Sequence, residues 1–145
     1  MWPEADGVIV EGFSIGFCYA DDTSITANGF VKVGTHAASR VPVAVSALCG
    51  DAIGMAMKTP VAIGDMIPVL FYGVAKVTTA YADTSLKPYI GSFLMNSTAT
   101  TVTGVGALVL ANLELFTGAS YILGMALQTP GATADEILAL VGKCI

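Results

Sequence analysis

The residues that could carry chemistry are few and lie far apart in the sequence. The single histidine, His36, lies in a segment of loop-like composition, residues 34–39. No cysteine, second histidine or patterned carboxylate stands beside it, so it is a poor candidate for a metal site or a catalytic triad. The three cysteines, Cys18, Cys49 and Cys144, are widely spaced and odd in number, which implies neither a disulfide framework nor a CxxC metal pair. We expect these thiols to be buried and catalysis at His36 to be absent.

Other catalytic and nucleotide-binding signatures are also missing from the sequence. It contains no Walker-type phosphate loop, no GxGxxG and no HExxH. The paired carboxylates Asp21 and Asp22 could bind a cation or share a proton, but the following Thr-Ser favours a turn with local Asx-type hydrogen bonds. We therefore expect no enzyme activity, no catalytic residue, no metal and no cofactor.

The composition predicts a protein whose surface is largely in contact with other protein. Apolar residues make up 54% of the chain and charged residues only 12%, about half the usual charged share. The apolar stretches are interrupted by Asp51, Asp65, Asn112 and Glu114, so none reaches the roughly 20 residues of a membrane span. No basic segment precedes an apolar run at the N-terminus, so no secretory signal is predicted. The net charge of −5 argues against nucleic-acid binding.

The chain is organised around a segment that occurs twice. Residues 51–77 and 122–145 align without a gap at an offset of 70. The nine identical pairs are Gly54/Gly124, Met55/Met125, Ala56/Ala126, Thr59/Thr129, Pro60/Pro130, Ala62/Ala132, Asp65/Asp135, Ile67/Ile137 and Leu70/Leu140. So dense a run of identities predicts two structural units with the same path.

Each unit is predicted to be a strand, a turn and a second strand. The small residues Gly54 and Ala56 indicate close backbone approach, Gly64 with Asp65 is a turn pair, and the alternation through Gly73 predicts a half-buried strand. Residues 133–136 form a capping-box pattern that favours a helix. The repeat equates the following segment with a strand, and we take the strand.

The rest of the chain adds further short strands separated by turn signals. Phe13, Ile15, Phe17 and Tyr19 alternate with small or polar residues. Asn28-Gly29 predicts a type I′ turn, Pro42 an edge strand, and residues 96–103 an exposed threonine-rich ribbon or loop. A further alternation covers residues 107–116. We predict an all-β protein, a small sandwich or barrel, with a single domain over residues 8–145.

An N-terminal arm over residues 1–7 precedes this domain. Trp2 and Pro3 lie in a segment with no strand pattern of its own. Either Trp2 packs back onto its own domain, or it anchors the chain to a neighbour, as tryptophan often does at interfaces. Trp2 and Pro3, together with the aromatic residues Phe13, Phe17 and Tyr19, are the candidate interface residues.

The first unit resembles the signature of the capsid cement, or head decoration, proteins of tailed bacteriophages. The matching residues are Gly50-Asp51, Ile53-Gly54-Met55-Ala56, Gly64-Asp65, Ile67 with Val69, and Gly73-Val74, with Gly29 to Val33 resembling the strand upstream. The resemblance covers about residues 25–80. The second unit keeps Gly124, Ala126 and Asp135 but has Ala134 where the first has Gly64.

This resemblance implies a β-rich structural protein of the virion, often a trimer. It would lie on the outer capsid surface and stabilise contacts between neighbouring major capsid proteins, which would be its partners. Two other functions remain open at this point: another self-assembling β-subunit, of a filament or surface layer, and a small-ligand-binding β-barrel.

Overall fold

The computed structural model describes residues 9–35, 41–46, 51–82, 84–104 and 123–142, with the side chains of residues 9–13 left aside. Over these residues the protein is almost wholly β, which confirms the predicted fold class. The strands are β1 (Ile9–Ala20), β2 (Phe30–Val33), β3 (Pro42–Val45), β4 (Gly54–Ala56), β5 (Met66–Thr79), β6 (Phe93–Asn96), β7 (Thr101–Gly104), β8 (Gly124–Ala126) and β9 (Glu136–Val141). A short 3₁₀ turn covers Thr84–Leu86. The segment with the capping-box pattern is thus a strand, β9, and not a helix.

The nine strands of the described residues form one sheet that closes on itself twice. Their order is β1-β3-β2-β4-β5-β7-β6-β8-β9, and β5 pairs in addition with both β1 and β9. Strands β1 to β4 and the beginning of β5 therefore form one ring of pairings, which we call the first barrel. The end of β5 and strands β6 to β9 form the second barrel. Strand β5, 14 residues long, is common to both.

Strand β5 serves both barrels because its alternating pattern continues along its whole length. Ile67 and Val69 are buried in the core of the first barrel, and Ala75 and Val77 in the core of the second. Successive side chains of a strand point to opposite faces, so one face of β5 supplies apolar residues to both cores. The first core comprises Cys18, Ala20, Ile25, Val31, Val43, Ala56, Ile67 and Val69.

The two barrels have equivalent strand pairings. Met55 lies opposite Leu70 in the first barrel, and Met125 lies opposite Leu140 in the second, at the offset of 70 found in the sequence. The equivalence extends beyond the sequence repeat. Strand β1 pairs with β3 in parallel in the first barrel, and β5 pairs with β7 in parallel in the second. Strand β2 likewise takes the place in the first barrel that β6 takes in the second.

The prediction that Pro42 marks an edge strand is wrong. Strand β3 lies between β1 and β2. Proline is tolerated there because Pro42 is the first residue of the strand, where its missing N–H interrupts no ladder. The amides of Tyr19 in β1 and of Asp21 directly after it donate to the carbonyls of Val41 and Val43 at 2.9 and 2.8 Å, on either side of the proline.

Two further local predictions are corrected by the structure. Asn28-Gly29 does not form a type I′ hairpin: of its two residues Asn28 alone has a positive φ, 70°. Strand β2 pairs with β3 and β4, and the Gly29 amide donates to the carbonyl of Thr26 at 2.9 Å. The threonine-rich segment 96–103 is not exposed throughout. It continues into β7, where Thr103 is 4% exposed. The hydroxyl of Thr103 donates to the carbonyl of Leu86 at 3.3 Å, which satisfies this buried group.

Candidate interaction surface

A turn between β4 and β5 is stabilised by a single carboxylate. The Oδ2 atom of Asp65 accepts hydrogen bonds from the amides of Val61, at 2.7 Å, and Ala62, at 3.0 Å. These amides, first that of Ala62 and then that of Val61, lower the pKa of Asp65 below its ordinary value of 3.8, because they stabilise the charged form. Gly64 has a φ of 98°, a conformation that glycine adopts without steric cost. The turn therefore has a defined backbone, as the Gly-Asp pair predicted.

This turn and the adjacent strands expose a group of large apolar side chains. Val61 is 89% exposed, Ile63 59%, Phe17 46% and Met66 40%. Tyr19 is half-buried. We call these five residues the apolar face.

The five residues are neighbours on the first barrel. Tyr19 of β1 lies opposite Met66 of β5, and Phe17 is the next residue on the same side of β1. The Tyr19 ring passes the turn at Gly64, where an added Cβ would lie 3.5 Å from the tyrosine hydroxyl. The turn residues Val61 and Ile63 thus continue the surface that the strands begin. Exposed apolar groups of this kind mark contact sites in soluble proteins.

The second barrel has an aspartate at the equivalent turn, but the residues at the positions equivalent to the apolar face are polar or small. Asp135 accepts the amide of Gly131 at 2.7 Å, as Asp65 accepts that of Val61. The amides of Gly131 and Glu136 likewise lower the pKa of Asp135. The side chains that replace Val61, Ile63, Met66, Phe17 and Tyr19 are Gly131, Thr133, Glu136, Lys76 and Thr78, by the equivalent pairings.

Two of the residues that replace apolar ones in the second barrel are charged. Lys76 and Glu136 form an ion pair at 3.8 Å, and about half of each side chain is exposed. The backbone is therefore compatible with either polarity at these positions. The apolar residues of the first barrel are not required by the fold, which makes the apolar face a candidate site for binding another protein.

The structure brings together two of the interface residues predicted from the sequence. Phe17 and Tyr19 lie side by side on the apolar face. Phe13 lies in β1, with its side chain outside the described residues, and Trp2 and Pro3 lie outside them altogether. The sequence reasoning missed Val61, Ile63 and Met66. Their signal was available, since three large apolar residues surround a polar Gly-Asp turn where solvent-exposed residues are expected.

The glycines and alanines of the predicted motif lie at closely packed positions. A Cβ added at Gly54 would lie 2.6 Å from the carbonyl oxygen of Leu70, and one at Gly124 would collide with the carbonyl of Leu140. Ala56 and Ala126 are both fully buried.

Gly73 is a motif residue where three strands meet. It is buried in β5 and lies opposite Gly12 of β1 on one side and Val141 of β9 on the other. All these motif residues allow strands to approach closely, and none of them carries a reactive group.

The few side chains that could carry out chemistry have roles in the fold or lie outside the described residues. Asp22 accepts the amide of Ser24 at 2.7 Å, which lowers the pKa of Asp22 and forms the predicted Asx-type turn. Cys18 is buried, 2% exposed. His36, Cys49 and Cys144 lie outside the described residues.

The described residues contain no candidate metal site and no candidate membrane-spanning helix. No three histidine, cysteine, aspartate or glutamate side chains are grouped there as a metal site would require. No helix among the same residues has the length and apolar character of a membrane span.

The interior of the first barrel is filled by side chains. Cys18, Val31, Val43, Ile67 and Val69 are each at most 2% exposed, and all belong to one cluster. Small closed barrels fill their interiors in this way. This packing counts against the ligand-binding barrel among the open functions.

Comparison with known proteins shows a similarity of fold. No profile of a known protein family matches the chain, and neither does any curated protein sequence. Among solved structures the chain is similar to the N base of the head fiber gp8.5 of bacteriophage phi29, with a TM-score of 0.51 and 12% identity. The similarity covers 90% of this chain and 94% of that one. At this identity it shows a common fold.

Proposed function

We propose that this chain is a structural protein of a bacteriophage virion, a decoration subunit that binds the outside of the head. Its partner is the major capsid protein, and its own subunits associate, with a trimer favoured. It is not an enzyme and uses no cofactor or metal. The observation that carries this proposal is the apolar face, which the described residues of the second barrel replace by polar or small ones at the equivalent positions, although an aspartate accepts turn amides in both barrels.

The difference between the barrels indicates that the apolar residues serve binding to another protein and not packing within the subunit. Residues such as Ile63 gain nothing from packing in the subunit, since most of the side chain is exposed. Burying each large apolar side chain against a partner contributes about 1.5–3 kcal/mol. A partner that binds only the assembled shell would stabilise that shell by linkage, which is the action proposed for a decoration subunit.

Two independent similarities agree on the virion as the location. The sequence of the first unit resembles the head decoration proteins, and the fold resembles the base of a head fiber. Each places its own relatives on phage heads, and neither depends on the other. The low share of charged residues and the net charge of −5 also fit a protein partner and disfavour nucleic acid.

Binding of the purified protein to heads of the virus that encodes it tests the proposal. We expect the protein to co-sediment with heads assembled from the major capsid protein. Ile63→Asp should weaken this binding at least about tenfold, since interface anchors of this kind contribute 2 kcal/mol or more. The matched control is Thr133→Asp, at the equivalent position of the polar surface, which should bind as the unchanged protein does.

Loss of binding in both variants, or in neither, would contradict the role of the apolar face. Failure of the unchanged protein to bind heads would contradict the decoration function itself. His36→Ala should bind heads as well as the unchanged protein does, since no chemistry is proposed for that side chain. Electron microscopy of the decorated heads should show added density on the outer surface.

A further inference from the structure

Each barrel carries a row of three apolar side chains across neighbouring strands. In the first barrel Phe30 lies opposite Met55, which lies opposite Leu70. In the second barrel Phe93 lies opposite Met125, which lies opposite Leu140. Directly opposite residues lie on the same face of a sheet, so each row forms a continuous apolar strip.

The row of the first barrel is buried inside the chain. Phe30 is 1% exposed, and Met55 and Leu70 are fully buried. They belong to the same core cluster as residues of the second barrel, among them Leu123 and Val141. The first row is therefore covered by the second barrel.

Hydrogen bonds from two residues accompany this contact between the barrels. The Phe30 amide donates to the carbonyl of Ala99 at 2.7 Å. The side-chain amide of Asn96 donates to the carbonyl of Ser46 at 3.2 Å and lies 3.3 Å from its hydroxyl oxygen. We call the buried row together with these hydrogen bonds the inter-barrel contact.

The row of the second barrel is not covered in the same way. Phe93 is 36% exposed, against 1% for the equivalent Phe30. Met125 and Leu140 are half-buried, where Met55 and Leu70 are fully buried. The next residue of the strip shows the same difference: Leu127 is 39% exposed and the equivalent Met57 1%.

The residues that the second barrel contributes to the inter-barrel contact also have equivalents in the first barrel, and these equivalents are partly exposed. In the second barrel Leu123 and Val141 are 3% and 1% exposed. The equivalent residues of the first barrel, Ile53 and Phe71, are only half-buried. Asn96, 1% exposed, has as its equivalent Val33, which is 56% exposed.

We propose that a second copy of this chain docks head to tail and repeats the inter-barrel contact between molecules. The row Phe93, Met125 and Leu140 of one copy lies against the first barrel of the next copy, at the surface formed by Val33, Ile53 and Phe71. Within the chain the equivalent row shares a core cluster with Leu123 and Val141, the equivalents of Ile53 and Phe71. This proposal stands independently of the head-binding function.

The charged residues beside Val33 and Ile53 are paired with each other. Lys32 and Asp51 flank Val33 and Ile53 in the sequence, and they form an ion pair with each other at 3.5 Å. The contact joins two different surfaces, so it is heterologous and generates either a closed ring or a longer assembly. It would use Ile53, which precedes β4, with residues on β2, β5, β6, β8 and β9, and leave the apolar face exposed for another partner.

Sedimentation velocity of the full chain, over a range of concentrations, tests the proposal. The unchanged protein should associate. Phe93→Glu and Val33→Glu should each weaken association at least about tenfold, because a charge buried without a partner is costly. The matched control is Val61→Glu, at an apolar residue that is 89% exposed and belongs to neither surface. It should associate as the unchanged protein does.

A mixture of the two impaired variants gives the sharpest result. Each variant retains the surface that the other lacks, so together they should form a dimer and nothing larger. Formation of that dimer also shows that both variants are folded. If Phe93→Glu unfolds by circular dichroism, Phe93→Ala takes its place, with a smaller expected loss of association.

Three results would overturn the proposal: an unchanged protein that stays monomeric, variants that associate normally, or folded variants that fail to form the mixed dimer. A loss of association in Val61→Glu would assign the contact to the apolar face and overturn it as well. Binding of monomeric variants to heads would show that the head-binding function survives without this contact.

Discussion

Replacing Gly54 by alanine tests whether close strand approach explains the glycine that both units retain. An added Cβ would lie 2.6 Å from the carbonyl oxygen of Leu70 and 2.9 Å from a methyl group of Val69. Real Cβ atoms essentially never approach so closely, and the nearest atom belongs to the backbone of the paired strand, so β4 and β5 must move apart. Overpacking of this kind costs about 1–3 kcal/mol. For a chain of this size we expect the melting temperature to fall by roughly 4–8 °C for a loss of about 2 kcal/mol.

The assay is thermal unfolding followed by circular dichroism at one fixed protein concentration. Gly131→Ala is the control, because a Cβ there meets its nearest neighbour, the Asp135 carboxylate, at an ordinary distance of 3.5 Å. It should change the stability by no more than about 0.5 kcal/mol. If Gly54→Ala proves as stable as Gly131→Ala, the explanation from backbone contact is refuted.

Three further predictions concern the turns and the inter-barrel contact. The pKa of Asp65 and that of Asp135 are lowered in the folded protein, so their stabilising effect is present above the ordinary value and lost as the pH falls through the folded pKa values. As the pH is lowered below about 4, the melting temperature of the double variant Asp65→Asn, Asp135→Asn should therefore fall less than that of the unchanged protein. Asn96→Ala removes the buried hydrogen bonds to Ser46 and should cost about 1–3 kcal/mol in urea unfolding, whereas Thr100→Ala, at an exposed site nearby, should cost almost nothing. Lys76→Ala should change the urea midpoint by less than about 1 kcal/mol, because its ion pair with Glu136 is exposed.

The sequence predicted the strands of the repeated unit because their determinants are local. A glycine that admits a neighbouring backbone, an aspartate that accepts amides of its own turn, and alternation along β5 all act within a few residues. The repeat also decided correctly between helix and strand for residues 136–141. There the pairing of β9 with β5, from Gly73 to Thr78, outweighs the local capping-box preference.

What the sequence did not predict depends on contacts between distant residues. Pro42 has the local signature of an edge, but its place between two strands is decided by β1 and β2. The closure of two barrels on one shared strand has no local signal either, since it requires β5 to pair with β1 in one half and β9 in the other. The exposure of Ile63 and the burial of Thr103 likewise depend on which elements fold over them.

The two barrels separate the residues that determine the backbone from those that determine the surface. The identical pairs include Gly54 with Gly124 and Asp65 with Asp135, which occupy positions where the backbone leaves little choice. Outward positions differ, as Ile63 and Thr133 do. A surface required only for solubility would be polar at the positions of the apolar face in both barrels, as it is at those positions in the second. The apolar residues of the first barrel therefore need an explanation outside the subunit. The half-exposed row of the second barrel needs one too, because the same row is buried in the first. Contact with two different protein surfaces explains both differences without any change to the shared backbone.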